Sequence, residues 1–334
     1  MRLRANLEPR WFLFITFFIA GIFLGALSMY LYTAIAVTQL QKIHLRSSEY
    51  RYINPLLAVE IYRNENLLQD KSLELSIQGL IRLQQKNNAI KEMQVYFRDL
   101  ESASWLSING EGKFSPGKLL KLPIMIAYYK LAQANPDILN EQITFNGKNI
   151  TSQEIFKQTH PLKRGESYTI EELIKQMIVQ SDDDAANLLF DYIDKDTLNE
   201  VFSDLGIDFK EEKDTEDFIS LKFYSLLFRI LYNATYLTRE YSQKAMDLLV
   251  EAPNNIGLFA DIPQKIPTAN RYGARIINNT KEKMFEIYDC GVVYYPLHPY
   301  IICAVVRGEN LENIKSALSI LGQNVYNEVK YQYQ

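Results

Sequence analysis

The chain has 334 residues and a formal net charge of −4 at neutral pH. A composition of 47% hydrophobic and 23% charged residues fits one large folded domain with an accessory segment, or two domains, and excludes a disordered chain. With only two cysteines, Cys290 and Cys303, a disulfide-rich scaffold is also excluded.

The N-terminus comes first. Trp11 to Val37 is a run of 27 residues without a charge, and about 20 suffice to cross a bilayer as a helix. Arg2, Arg4 and Arg10 precede it against a single Glu8. The expectation is a transmembrane helix over 11–37, with 1–10 as a cytoplasmic tail and the rest outside the plasma membrane. Ala34-Ile35-Ala36 offers a cleavage-like site, but the apolar run is longer than a signal peptide needs. Residues 1–46 carry +4, so 47–334 carry −8. An acidic ectodomain argues against nucleic-acid binding. No zinc-type spacing, phosphate-binding loop or dinucleotide fingerprint occurs, so no metal or cofactor is expected.

Residues 38–52 read as a juxtamembrane stalk, and 53–334 as the extracytoplasmic domain. Residues 73–86 space their apolar side chains at helical intervals. Met93–Leu100 and Ser104–Ile108 read as a hairpin joined by Glu101-Ser102-Ala103. FSPGKLLKLP follows, with Ser115-Pro116 as a helix cap and first turn. A buried helix then runs to Asn135-Pro136. Thr169-Ile170-Glu171-Glu172 is a capping box that starts a helix through about Val179. Further helices are expected over 183–193, 219–232 and 239–249. Lys283–Tyr295 and Tyr300–Val306 form a second hairpin, and Glu309–Tyr326 a closing helix. Cys290 and Cys303 flank this hairpin; buried free thiols are the default, with pairing left open. Strands at both ends around a helical middle imply an α+β fold, with one antiparallel sheet assembled from both ends.

Five segments in this order resemble the class A β-lactamase and penicillin-binding-protein family of serine hydrolases. They are YFRDLESASWLSING, FSPGKLLKLPIMIAYY, MIVQSDDDAANLL, IPTANRYG and YDCGVVYYPLHPYIICAVVRG. The resemblance implies a β-lactamase/transpeptidase-like fold and three site motifs. Ser115-Pro116-Gly117-Lys118 is a literal S-x-x-K. In the family, however, the motif lysine leads directly into an apolar-Pro-apolar run, as Lys121-Leu122-Pro123-Ile124 does here. In that register Lys121 is the motif lysine and Lys118 stands at the nucleophile position. Ser181-Asp182-Asp183 matches S-D-N with a carboxylate in place of the amide, and Arg271-Tyr272-Gly273 matches K-T-G.

Lys118 cannot replace a serine in acyl transfer, because the amide it would form does not hydrolyse. The Lys–Asp cluster reads as a compensated structural core. Arg271 retains a charge suited to a carboxylate, and Gly273 suits a strand edge that a ligand or another backbone approaches. Asp182 and Asp184 suit a helix N-terminus. Glu216 and Asp217 lie in a charge run that lacks the family's deacylation pattern. His44, His160 and His298 are scattered, so no Ser-His-Asp triad is expected.

Two functions follow. One is a membrane-anchored pseudoenzyme that binds a cell-wall fragment or another membrane protein. The other is an active hydrolase (β-lactamase, β-lactam catabolism or D-Ala-D-Ala-directed peptidase) using Ser115 and Lys118. An inert structural module is a third reading.

Overall fold

The computed structural model describes residues 10–38, 50–54, 71–114, 120–147, 161–207, 219–253, 256–277 and 283–333. The chain divides into two compact units, 1–45 with 57–62, and 46–56 with 63–334.

The first unit contains helix α1, Arg10–Thr38. Among the described residues no helix is long and apolar enough to cross a membrane.

The second unit is built on a five-stranded sheet. Helix α2 (Lys71–Lys86) leads into strands β1 (Glu92–Asp99), β2 (Trp105–Ile108) and β3 (Lys113–Phe114). Helix α3 (Lys121–Ala134) follows, then β4 (Gln142–Thr144), β5 (Ser167–Thr169), α4 (Ile170–Val179), α5 (Asp183–Tyr192) and α6 (Lys195–Asp204). Next come β6 (Ile219–Ser220), α7 (Leu221–Asn233) and α8 (Arg239–Glu251). Strands β7 (Thr268–Ile277), β8 (Met284–Val293) and β9 (Tyr300–Gly308) and helix α9 (Leu311–Tyr333) complete the chain. The large sheet has the order β2-β1-β9-β8-β7, with every neighbouring pair antiparallel. It is therefore assembled from both ends of the chain, as the element order implies.

The sheet separates two apolar cores, because successive side chains on a strand point to opposite faces. Val95, Phe97, Ile287 and Ile302 pack with Leu73 and Ile77 of α2 and Leu318 and Leu321 of α9. Tyr96, Tyr288, Cys290 and Val305 face the helices that surround α3. Helix α3 supplies Ile124, Met125, Ala127, Tyr128 and Tyr129 to that second core. Burial of its apolar residues all round explains why its sequence shows no polar face.

One expectation is corrected. Cys290 and Cys303 are not free thiols; they form a disulfide. Strands β8 and β9 place them directly opposite each other, and that register is not legible from composition. Helix α3 is described from Lys121, with Leu120 in the preceding position and no side-chain capping bond there; Ser115, Pro116 and Lys118, where the helix start was expected, lie outside the described residues.

Candidate functional site

The site forms where the start of α3, the α4–α5 junction and the first half of β7 meet. The capping box fixes α4: the Thr169 hydroxyl accepts from Glu172 N–H at 3.1 Å, and Glu172 accepts from Thr169 N–H at 2.8 Å. At its other end, α4 leaves carbonyls that no helical N–H reaches. Arg271 supplies donors to two of them, Ile178 O at 3.1 Å and Met177 O at 3.4 Å. Its Nη2 also donates to Ser181 Oγ at 3.0 Å. A cation is favoured there by the helix dipole as well as by hydrogen bonding.

Arg271 is only 2% exposed, and burial works against its charge, while Tyr224, Tyr272 and Asp183 nearby favour it. Among the described residues its Nε has no hydrogen-bond partner. The guanidinium therefore caps α4 from inside. The carboxylate-binding fork expected from the sequence is instead committed to the protein's own carbonyls.

Ser181 links α4 to α5 with φ +58°, a region in which non-glycine residues are uncommon. The conformation turns its carbonyl to Lys121 and its hydroxyl to Arg271. Lys121 Nζ donates to Ser181 O at 2.5 Å and pairs with Asp183 Oδ1 at 2.5 Å. Lys121, Ser181, Asp183 and Arg271 are thus brought together as one cluster. Asp182 is the N-cap of α5, accepting from Ala185 N–H at 2.9 Å. Burial pushes its carboxyl upward, and the bond from Ala185 opposes this. Asp184 is buried in the first turn of α5.

Gly273 needs its missing side chain for a reason not foreseen. A Cβ there would fall inside contact distance of Tyr288 Cε2, Cζ and Oη. Tyr288 sits directly opposite Gly273 on β8, and its ring covers the glycine where a ligand or second backbone was expected. Tyr272 is half-buried, and burial raises its phenol pKa. Glu216, Asp217, His44 and His160 lie outside the described residues. His298 stacks on Tyr333 at 3.4 Å, with its ring packed on the far end of α9, away from this cluster in sequence and fold. Sequence reasoning missed Tyr288 and Tyr224, both essentially buried and both close enough to Arg271 to interact with its charge. The signal for Tyr288 is the β7–β8 register.

The serine–lysine–aspartate cluster at a helix junction, beside an arginine on the edge strand of a sheet with two packed faces, sits in a β-lactamase/transpeptidase-like α+β fold. The chain belongs to the beta-lactamase enzyme family, whose model matches residues 72–329. Among solved structures, a single-residue mutant of PBP-A in its acyl-enzyme complex with penicillin G is 20% identical over 78% of this chain and 97% of that one, with a TM-score of 0.63. A β-lactamase from Xanthomonas campestris is 17% identical over 79% and 100% of the two chains, with a TM-score of 0.63. The TLA-3 extended-spectrum β-lactamase is 14% identical over 78% and 98%, with a TM-score of 0.65. At these identities the likeness shows the fold alone. No curated protein matches the sequence.

Proposed function

We propose that this protein is a membrane-anchored, extracytoplasmic member of the β-lactamase family without β-lactam turnover, which works by binding a cell-wall fragment or another membrane protein. The observation that carries this reading is the Lys121–Asp183 ion pair, 2.5 Å long and almost sealed from solvent. A general base needs a lone pair. An ammonium that donates to a carboxylate and to Ser181 O offers none. With Lys118 at the nucleophile position of the sequence register, the attacking hydroxyl is missing as well.

Anchoring is supported by the uncharged run Trp11–Val37 and its flanking arginines, which put the N-terminus in the cytoplasm. The buried Cys290–Cys303 bond supports an oxidising compartment outside it. The reading is tested by assaying the full chain in detergent against a chromogenic cephalosporin, with saturable binding of peptidoglycan fragments followed in parallel. The expected result is binding without hydrolysis. Steady turnover abolished by Ser115→Ala would replace this reading with the active-hydrolase one, which the literal Ser115-x-x-Lys118 favours.

A further inference from the structure

The chain enters the second unit at one end of its sheet. Tyr52 O accepts from the Tyr294 hydroxyl at 2.9 Å, and the two rings lie 5.0 Å apart. Tyr52 N–H donates to Gln243 at 2.8 Å, and the Arg239 guanidinium covers the Tyr50 ring at 4.6 Å. Tyr294 opens the loop from β8 to β9, and Leu100 of the β1–β2 turn donates its N–H to Pro299 O of that loop at 2.9 Å. Helix α9 finishes at the same end. Tyr326 meets Tyr295 edge-on, and the Tyr333 hydroxyl donates to Asp99 at 3.3 Å while its ring stacks on His298. Entry segment, loop, turn and last helix thus share one tyrosine-rich end.

The tip of the loop is Leu297. His298 N–H donates to Tyr295 O at 3.1 Å, which closes a four-residue turn with Pro296 second and Leu297 third. Leu297 has φ +64°, the conformation that calls for glycine or asparagine at the third place of such a turn. A leucine there gains nothing from the backbone and is 54% exposed. At the end of α9, Tyr331 is 84% exposed. Neither side chain belongs to either apolar core.

We propose that this end of the domain rests on a lipid surface, with Leu297 and Tyr331 seated at the boundary between headgroups and acyl chains. The inference rests on the membrane-anchored reading and adds an orientation to it. Chain length is the first argument for lipid as the occupant. Eleven residues, 39–49, separate Thr38 from Tyr50. Fully extended they reach about 40 Å, less than the roughly 50 Å across that the radius of gyration of a domain of this size implies. In the anchored reading, so short a tether keeps the entry end, and not the far end, towards the bilayer. Side-chain chemistry is the second argument. A leucine projecting from a turn, among tyrosines with an apolar ring and a wet hydroxyl, is the composition that settles at a membrane interface.

The test is nitroxide accessibility in the full chain reconstituted into phosphatidylcholine vesicles, with one added cysteine in Leu297→Cys, Tyr331→Cys or Leu83→Cys. Leu83 is also exposed, but it lies in the last turn of α2, which leads into the start of β1 at the opposite end of the sheet. Cys290 and Cys303 are held in their disulfide and do not take the label. Labels at 297 and 331 are expected to show a ratio of oxygen to water-soluble nickel-chelate collisions several-fold above that at 83. Tyr331→Cys lies outside the turn, so it decides the matter if Leu297→Cys fails to fold. Labels at 297 and 331 that behave like the one at 83 overturn the proposal. So does protection from both reagents, which would put a second protein there. Extraction in alkaline carbonate separates the two failures. A chain that stays in the membrane while these labels face water loses the docking alone. A chain that washes off loses the anchor, and the docking with it.

Discussion

The Lys121 ammonium lies 2.5 Å from Asp183 Oδ1, with 4% of the lysine side chain and 17% of the aspartate side chain exposed. Removing one partner of a buried pair strands the other charge, whereas replacing both by apolar groups is often neutral. Asp183→Ala is therefore expected to destabilise the domain by about 3–5 kcal/mol in urea unfolding. Asp183→Asn should cost less, since its amide oxygen still accepts from Lys121. The double variant Lys121→Met/Asp183→Leu should recover most of the loss. A fully additive double variant would show that the pair is not coupled.

Asp289 gives the domain a pH dependence. Its carboxyl is fully buried and pushed up to about 8, by burial first, against the opposing hydrogen bond from Leu258 N–H. That bond is 2.9 Å long and ties the short helical turn Gly257–Phe259 to β8. The folded state thus holds a proton that the unfolded chain, with an ordinary carboxylate, has already released above about pH 4. This contribution is least unfavourable below the unfolded pKa. Stability should fall as pH rises from about 4 towards 8 and then level off. Asp289→Asn should flatten that slope in thermal melts taken across this range. An unchanged slope would remove Asp289 as its source.

How much of this was legible in the sequence depends on range. The α4 start was readable because a capping box is local: Thr169 and Glu172 are three residues apart, and both bonds form. The β8–β9 hairpin was readable from runs rich in Val, Ile and Tyr joined by Pro-Leu-His-Pro, and the two-ended sheet from the order of elements. Helix α6 was missed although its Asp194 cap and the buried stripe Leu198, Val201 and Phe202 were local signals; the polar, charged start of Lys195–Asp204 masked them. The reason for Gly273, the cysteine pairing and the inward role of Arg271 were not readable. Each depends on cross-strand register or on where one helix ends against a distant strand.

The cysteine pairing carries its own expected outcome. Cys290 and Cys303 are 13 residues apart in sequence, and closing a loop of that size stabilises by about 3 kcal/mol in the chain-entropy account. Reduction, or the double variant Cys290→Ala/Cys303→Ala, should lower the urea midpoint accordingly. Reductant should leave the double variant's midpoint unchanged. A reductant effect on that variant would point to some cause other than the bond.

Packing at Gly273 can be tested without any ligand. Gly273→Ala pushes a methyl into the Tyr288 ring, and overpacking of this kind costs about 1–3 kcal/mol. In a Tyr288→Ala background the same change should cost much less. The resulting coupling energy in a double-mutant cycle measures the contact directly, and a value of zero would contradict the geometry described here.

The central claim is that the family's acyl-transfer machinery is disabled in this chain, and one measurement tests it most directly. The full chain is incubated with excess penicillin G, denatured and weighed by intact mass spectrometry, alongside Lys118→Ser/Asp183→Asn. The expected result is an unmodified wild type, with a single penicilloyl adduct on the double variant at residue 118. A stoichiometric adduct on wild-type Ser115 would contradict the account.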